Sequence, residues 1–337
     1  MPPTDPLPRC DVLVLSWGHV VPTARGEDKE WDDVMWRELT EKFSVNGGRD
    51  RTEYSRDFSR ILADLAAYEL WQAKAGRSAA VRPQLRRGGS GGRCFGSYVL
   101  ETVGKNVVCL FDSNVCLNTG GPNTPVDRML EQMLRDARPR LVLSIGFGGG
   151  VTADDRVGDI VVTSRALYRL RGDLESFARN GRSYGGCWQP EPEWFGRMTF
   201  KPLAEPTLAA PTPGYNVTRV TPPEKVRPLI AIDPRPVITA PLLTSTGFDV
   251  GAPTGEDFLG RVGCATEMDG APVAVAADAA GIDCGFVVGI VVPLLQRYKH
   301  DFEQGFLLGW RDYFVATYAA AAARNVVEVV HRICGVA

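Results

Sequence analysis

Residues 141–150 read LVLSIGFGGG. The apolar part is too short for a helix that stands alone, and Pro139 precedes it. It therefore reads as a strand buried on both faces. The glycines directly after it let a ligand or another backbone come close, and their N–H groups can bind polar atoms. A tight turn over 147–150 that needs positive φ explains the same glycines without any ligand. The segment is not a phosphate-binding Walker loop, because no Gly-Lys-Ser/Thr follows it. A second strand candidate, 158–163 (GDIVVT), comes next. A buried strand feeding a glycine turn and another strand commits the chain to a sheet covered on both sides.

The rest of the chain supplies the layers. Residues 11–15 (DVLVL) form a first buried strand, ending at Ser16-Trp17-Gly18. Helical spacing follows at 30–43 and 54–74, then a basic glycine-rich loop at 82–93. Strands are expected at 97–102 and 106–111. Thr124-Pro125-Val126-Asp127 opens a helix: Thr124 can cap, Pro125 suits the first helical position and Asp127 favours the positive end. Met129, Leu130, Met133, Leu134 and Ala137 line its buried face. Strands at 236–244 and 284–292, a helix at 269–280 and a long helix at 304–333 complete the pattern. Asp112, Ser113 and Asn114, just past the strand expected at 106–111, suit an Asx turn. The expected fold is α/β, in three α/β/α layers around a mixed, partly barrel-like sheet. It forms one domain over 1–337, with insertions at about 25–94 and 171–235, the latter rich in Pro, Gly and aromatics.

Composition excludes several classes. Of 337 residues, 44% are apolar and 23% charged, which rules out disordered and fibrous chains. Lys+Arg number 38 against 40 Asp+Glu, so the basic excess of a nucleic-acid binder is missing and no nucleic-acid partner is expected. The first eight residues contain four prolines and no apolar run, unlike a signal peptide. The apolar stretches at 284–295 and 314–323 are shorter than a membrane span, so no membrane partner is expected. Eight scattered cysteines without a CxxC pair read as buried thiols in a reducing compartment, and the cytoplasm is the expected location. His19, His300 and His331 lack metal-ligand spacing, so no metal and no other cofactor is expected. His19 alone of the three follows a strand end, where α/β folds bind ligands; His331 reads as a surface residue of the last helix.

A second motif is Ala265-Thr266-Glu267-Met268-Asp269-Gly270-Ala271. The two carboxylates, Glu267 and Asp269, are expected to face opposite ways, one binding a ligand while the other is buried against the backbone. An acid pair at a helix start, favoured by the helix dipole, is the plainer explanation.

Taken in order, 146–150, 158–162, 267–271, 284–293 and 310–323 resemble the nucleoside phosphorylase superfamily, which includes purine and uridine phosphorylases and methylthioadenosine/S-adenosylhomocysteine nucleosidases. The resemblance covers about 95–170 and 236–330. It implies that Met268 packs on a sugar and that Asp269, in place of the family's Glu, holds the ribose hydroxyls. Glu267 belongs to the same binding motif. Phe147, Gly148 and Gly149 border base and sugar, and Phe248 in 246–250 (TGFDV) stacks on the base. Departures are as informative. The family's general acid falls at Val292, which cannot donate a proton. The phosphate-binding Ser and Arg fall at Phe147 and Ser144. The nucleosidases' Glu after the first strand is missing from 16–21 (SWGHVV). Asp249 and His19 are the candidates to replace the missing proton carriers, with Asp301 and His300 as neighbours.

The expected function is an enzyme acting on a nucleoside-like small molecule by N-glycosidic hydrolysis or transfer, with phosphorolysis disfavoured. The alternative is a nucleoside-binding or regulatory protein of the same fold that has lost catalysis. The resemblance also implies a homo-oligomer, most simply a dimer, with Trp188, Trp194, Phe195 and Phe200 as apolar contact material.

Overall fold

The structure is a computed structural model. It describes residues 6–17, 20–22, 28–30, 32–43, 51–54, 96–113, 125–152, 155, 158–169, 176–177, 179–189, 230–232, 240–245, 262–293 and 319–337. In chain order the elements are β1 (Val12–Trp17), β2 (Val20–Pro22), β3 (Asp28–Glu30), α1 (Asp32–Phe43), β4 (Thr52–Glu53), β5 (Gly96–Val103) and β6 (Asn106–Ser113). Next come α2 (Pro125–Ala137), β7 (Leu141–Gly150), β8 (Ile160–Thr163), β9 (Arg165–Tyr168), β10 (Tyr184–Gly185), β11 (Ile230–Ile232), β12 (Leu242–Thr244) and β13 (Ala265–Glu267). The last three are α3 (Gly270–Ala280), β14 (Asp283–Pro293) and α4 (Ala320–Val336).

The main sheet is mixed. Its order is β10-β9-β12-β13-β7-β1-β6-β5-β4, with β14 on β7 and β8, and β11 on β8. β7 is the branch point. Its first half pairs in parallel with β1, its last two residues pair antiparallel with β13, and β14 runs parallel along the other edge. β8 and β9 follow one another across Ser164 but join different neighbours, β14 and β12. The sheet therefore curls without closing.

Two apolar clusters cover its two faces. On one, Val12, Val14, Leu143 and Ile145 meet Trp36 and Leu39 of α1 and Val326, Val330 and Ile333 of α4. On the other, Leu13, Leu15, Cys109 and Val142 meet Met129, Leu130 and Met133 of α2 and Val273, Ala274 and Ala277 of α3. Alternation along each strand sends successive side chains to opposite clusters. The result is the three-layer α/β/α arrangement.

α2 starts at Pro125 and carries Asp127 in its first turn, and its five expected core residues are buried. It ends where Arg138 turns left-handed (φ 46°), one residue before Pro139. α3 ends at Gly281, left-handed at φ 66°, whose N–H bonds back to the last turn. Asp112 and Ser113 are strand residues inside β6, not a turn beyond it. Both are buried, and Arg51 Nη1 lies 3.4 Å from Asp112 Oδ2. His331 is half-buried rather than a surface residue. Its ring stands edge-on to Phe43 at 4.9 Å, and burial lowers its pKa, with Lys42 adding to the shift.

Two short strands, β10 and β11, fall within 171–235 and hydrogen-bond to the sheet. Trp188 is buried in the core, against Gly285. It is therefore not an exposed contact residue; a Trp this large gains more from filling the space over a glycine than from waiting for a partner. Trp194, Phe195 and Phe200, the helix expected at 54–74 and the loop at 82–93 lie outside the described residues. No described helix is long and apolar enough to cross a membrane.

Candidate functional site

The parallel strands β1 and β7 end at one edge of the sheet, the edge where α/β folds hold ligands. β13 adds residues 265–267 beside Gly149 and Gly150, and α3 starts just beyond. A small pocket, partly open to solvent, lies there. Its walls, among the described residues, are Trp17, Ser144, Ile145, Gly146, Phe147, Leu242, Glu267, Asp269 and Val288.

Trp17 and Ser144 form the floor between β1 and β7. The indole N–H of Trp17 donates to Ser144 Oγ at 2.9 Å, in a buried contact. Burying an indole without a partner for its N–H is costly, so Ser144 satisfies it. The two positions where the resemblance implies phosphate ligands thus hold a hydroxyl engaged by indole and the ring of Phe147. None of the described walls carries a cation.

The glycine run differs from the turn expected for it. Residues 147–150 continue β7 to Gly150, because strands press on them from both sides. At Gly148 a Cβ would stand 2.6 Å from Val288 Cγ1 and 2.7 Å from the Thr266 carbonyl oxygen. The close approach that glycine permits is thus made here by β13 and β14. At Gly146, by contrast, a Cβ would meet nothing within 4 Å. That position opens on the pocket.

The acidic end is built by β12, β13 and α3. Glu267 ends β13, and its carboxylate is turned onto the start of α3. Oε2 accepts the N–H groups of Asp269 and Gly270, the latter at 2.8 Å. Oε1 accepts the Thr244 hydroxyl at 2.6 Å. Thr244 Oγ1 in turn accepts the Ala271 N–H at 2.8 Å. Burial, and next the charge of Asp269, push the Glu267 carboxyl up to about 7, against the pull of these hydrogen bonds. Asp269 is the N-cap residue of α3 but makes no side-chain capping bond. It is 4% exposed and lies on the pocket wall.

The two acids do not face opposite ways: residues two apart on an extended segment share a face, and Glu267 and Asp269 line one pocket.

Of the residues singled out by sequence, Phe147, Glu267 and Asp269 meet at the pocket. Met268 is buried beside them, and Gly148 and Gly149 sit between strands. The backbone of Val292 pairs with Gly149 in β14. His19, Phe248, Asp249, His300 and Asp301 lie outside the described residues. Trp17, Gly146, Leu242, Thr244 and Val288 were not singled out. A tryptophan closing a buried strand, which needs an N–H partner, was the available signal for the first.

The family model described as the phosphorylase superfamily matches residues 77–304. Among curated proteins, none matches the chain. Similar solved structures include the 5′-methylthioadenosine/S-adenosylhomocysteine nucleosidase of Colwellia psychrerythraea 34H in complex with adenine. It is 13% identical over 97% of this chain and 96% of that one, with a TM-score of 0.46. The Neisseria meningitidis nucleosidase in complex with methylthio-immucillin-A is 10% identical over 96% and 99%, with a TM-score of 0.46. The Arabidopsis thaliana 5′-methylthioadenosine nucleosidase is 12% identical over 96% and 95%, with a TM-score of 0.48.

Proposed function

The chain belongs to the phosphorylase superfamily, and from that premise we propose that it is an enzyme that cleaves the N-glycosidic bond of a nucleoside-like small molecule, with water as the acceptor. The observation that carries this reading is the make-up of the pocket: a buried Asp269 on one wall and the Trp17–Ser144 pair on another. A carboxylate suits a sugar diol, which offers two O–H donors. A floor of indole, bonded hydroxyl and phenyl ring gives an incoming phosphate no cation to pair with, whereas water needs none.

In the reaction the oxygen of water bonds to C1′ as the C1′–N bond breaks. The electron pair leaves on the base, which gains a proton, and water loses one. With Val292 at the family's acid position, we assign these proton transfers to Asp249 and His19. Phe248 would stack on the base, with Phe147, Gly148 and Gly149 bordering base and sugar. Met268 would pack on the sugar, whose hydroxyls Asp269 holds. We also propose that the protein works in the cytoplasm as a homo-oligomer, most simply a dimer.

The second reading is a nucleoside-binding protein without turnover. Val292, and the lack of a carboxylate in 16–21, favour it. Chromatography of reactions with 5′-methylthioadenosine, adenosine, inosine and uridine separates the two. Free base should appear in phosphate-free buffer, at a rate that added phosphate leaves unchanged. Release that depends on phosphate overturns water as acceptor. A thermal shift with these nucleosides but no released base establishes the second reading. Neither shift nor release overturns both.

A further inference from the structure

We propose that Glu267 and Thr244 are positioning residues that take over the capping of α3 and so aim the Asp269 carboxylate at the ligand. The proposal rests on the reading above that Asp269 holds a sugar diol.

A helix start exposes backbone N–H groups that need acceptors. An Asp at the N-cap position normally supplies one by folding its carboxylate back onto the second or third helical N–H. Asp269 occupies that position and does not do so. Its own N–H and that of Gly270 are taken by Glu267 Oε2, and the N–H of Ala271 by Thr244 Oγ1. The two side chains are locked together by the Thr244 hydroxyl, which donates to Glu267 Oε1. They come from neighbouring strands in register, Thr244 opposite Glu267, and the Ser245 N–H donates to the Glu267 carbonyl at 2.6 Å. The clamp is therefore anchored to the sheet, not to the helix that it caps.

Two consequences follow for the site. The Asp269 carboxylate does not cap its own helix and stands on the pocket wall. Its backbone is held at the N–H, so the point from which the side chain reaches the pocket is fixed before a ligand arrives. Gly270 completes the arrangement: a Cβ there would lie 2.8 Å from Leu242 Cδ2 and 3.1 Å from Glu267 Oε1, crowding the clamp. Without Glu267 the Thr244 hydroxyl loses its anchor and its hold on the Ala271 N–H, the second N–H of the helix and the one an N-cap Asp reaches, so the Asp269 carboxylate would fold back to it and the diol would lose its partner.

The test compares adenosine with 2′,3′-dideoxyadenosine by calorimetry in the wild type and in Asp269→Ala, Glu267→Ala, Glu267→Gln and Thr244→Val. The wild type should favour the diol by about tenfold or more, the scale of hydrogen bonds to a charged group, and Asp269→Ala should abolish this preference. If either fails, the diol reading is overturned, and the clamp's role in ligand binding with it. With those in place, Glu267→Ala should also lose the preference, its affinity for adenosine falling about tenfold or more further than its affinity for the dideoxy compound. Glu267→Gln keeps an oxygen for the two N–H groups and should restore the preference. A merely structural role would weaken both ligands together. Retention of the preference in Glu267→Ala overturns the proposal and leaves the diol reading standing. If Glu267→Ala does not fold, Thr244→Val decides in the same way, by a lost or a retained preference.

Discussion

Protonation of Glu267 is tied to folding. In the unfolded chain its pKa is near 4.5, and in the folded protein about 7. The folded state thus binds the extra proton between these values, so the contribution of Glu267 to stability is fully present below about 4.5 and is lost as pH rises through about 7. Glu267→Gln imitates the protonated form: its oxygen can accept the two N–H groups and its amide can donate to Thr244. The variant should therefore be more stable than the wild type at pH 8, by on the order of 2 kcal/mol once the solvent at the pocket wall has trimmed the full shift. Below pH 4.5 it should have no such advantage. Urea titrations at the two pH values check this, and an equal effect at both would refute it. At this scale the sequence showed the acid pair and Phe147, because motif spacing places them together. Thr244 was illegible for a physical reason: it acts through hydrogen bonds with Glu267 and Ala271, more than twenty residues away in sequence, and nothing local marks them. Trp17, closing a buried strand, signals that its N–H needs a partner but not that the partner is Ser144.

Among the elements, β7 shows both what patterning conveys and where it fails. Its apolar first half was legible, since an apolar run of that length with a proline before it has few other uses. Its glycine half looked like a turn. Glycine is rare within strands except where another backbone crowds in, and that crowding comes from β13 and β14, more than a hundred residues away. The two roles of glycine in β7 should separate experimentally. Gly148→Ala sets a methyl 2.6 Å from Val288 and should cost about 1–3 kcal/mol of stability by overpacking. Gly146→Val has open space before it and a β-branched residue suits a strand. It should fold normally and instead fill the pocket, lowering nucleoside affinity by about tenfold or more. Chemical denaturation and calorimetry read the two effects. The reverse pattern would mean that the pocket lies elsewhere. The helix α2 needed no such correction, because its proline, acidic first turn and apolar spacing are all local signals.

For the whole molecule, the three layers were legible from the alternation of short apolar runs with helical spacing. The branching of the sheet was not, since it depends on which strand joins which edge of β7. The proposed association also belongs to this scale. Light scattering at micromolar concentration should give twice the 36.7 kDa of one chain, and the mass of a single chain would overturn it. The branch at β7 bears on how the protein is made. All ten residues of that strand lie along one edge against β14, which begins at Asp283. A ribosome adding about 5–20 residues per second completes β7 roughly 7–30 s before the last of β14 has been synthesised. For that interval the growing chain offers a long apolar edge with its backbone groups unmatched, the kind of edge to which other strands stick. Safe synthesis of this protein depends on something shielding that edge until the final strand arrives.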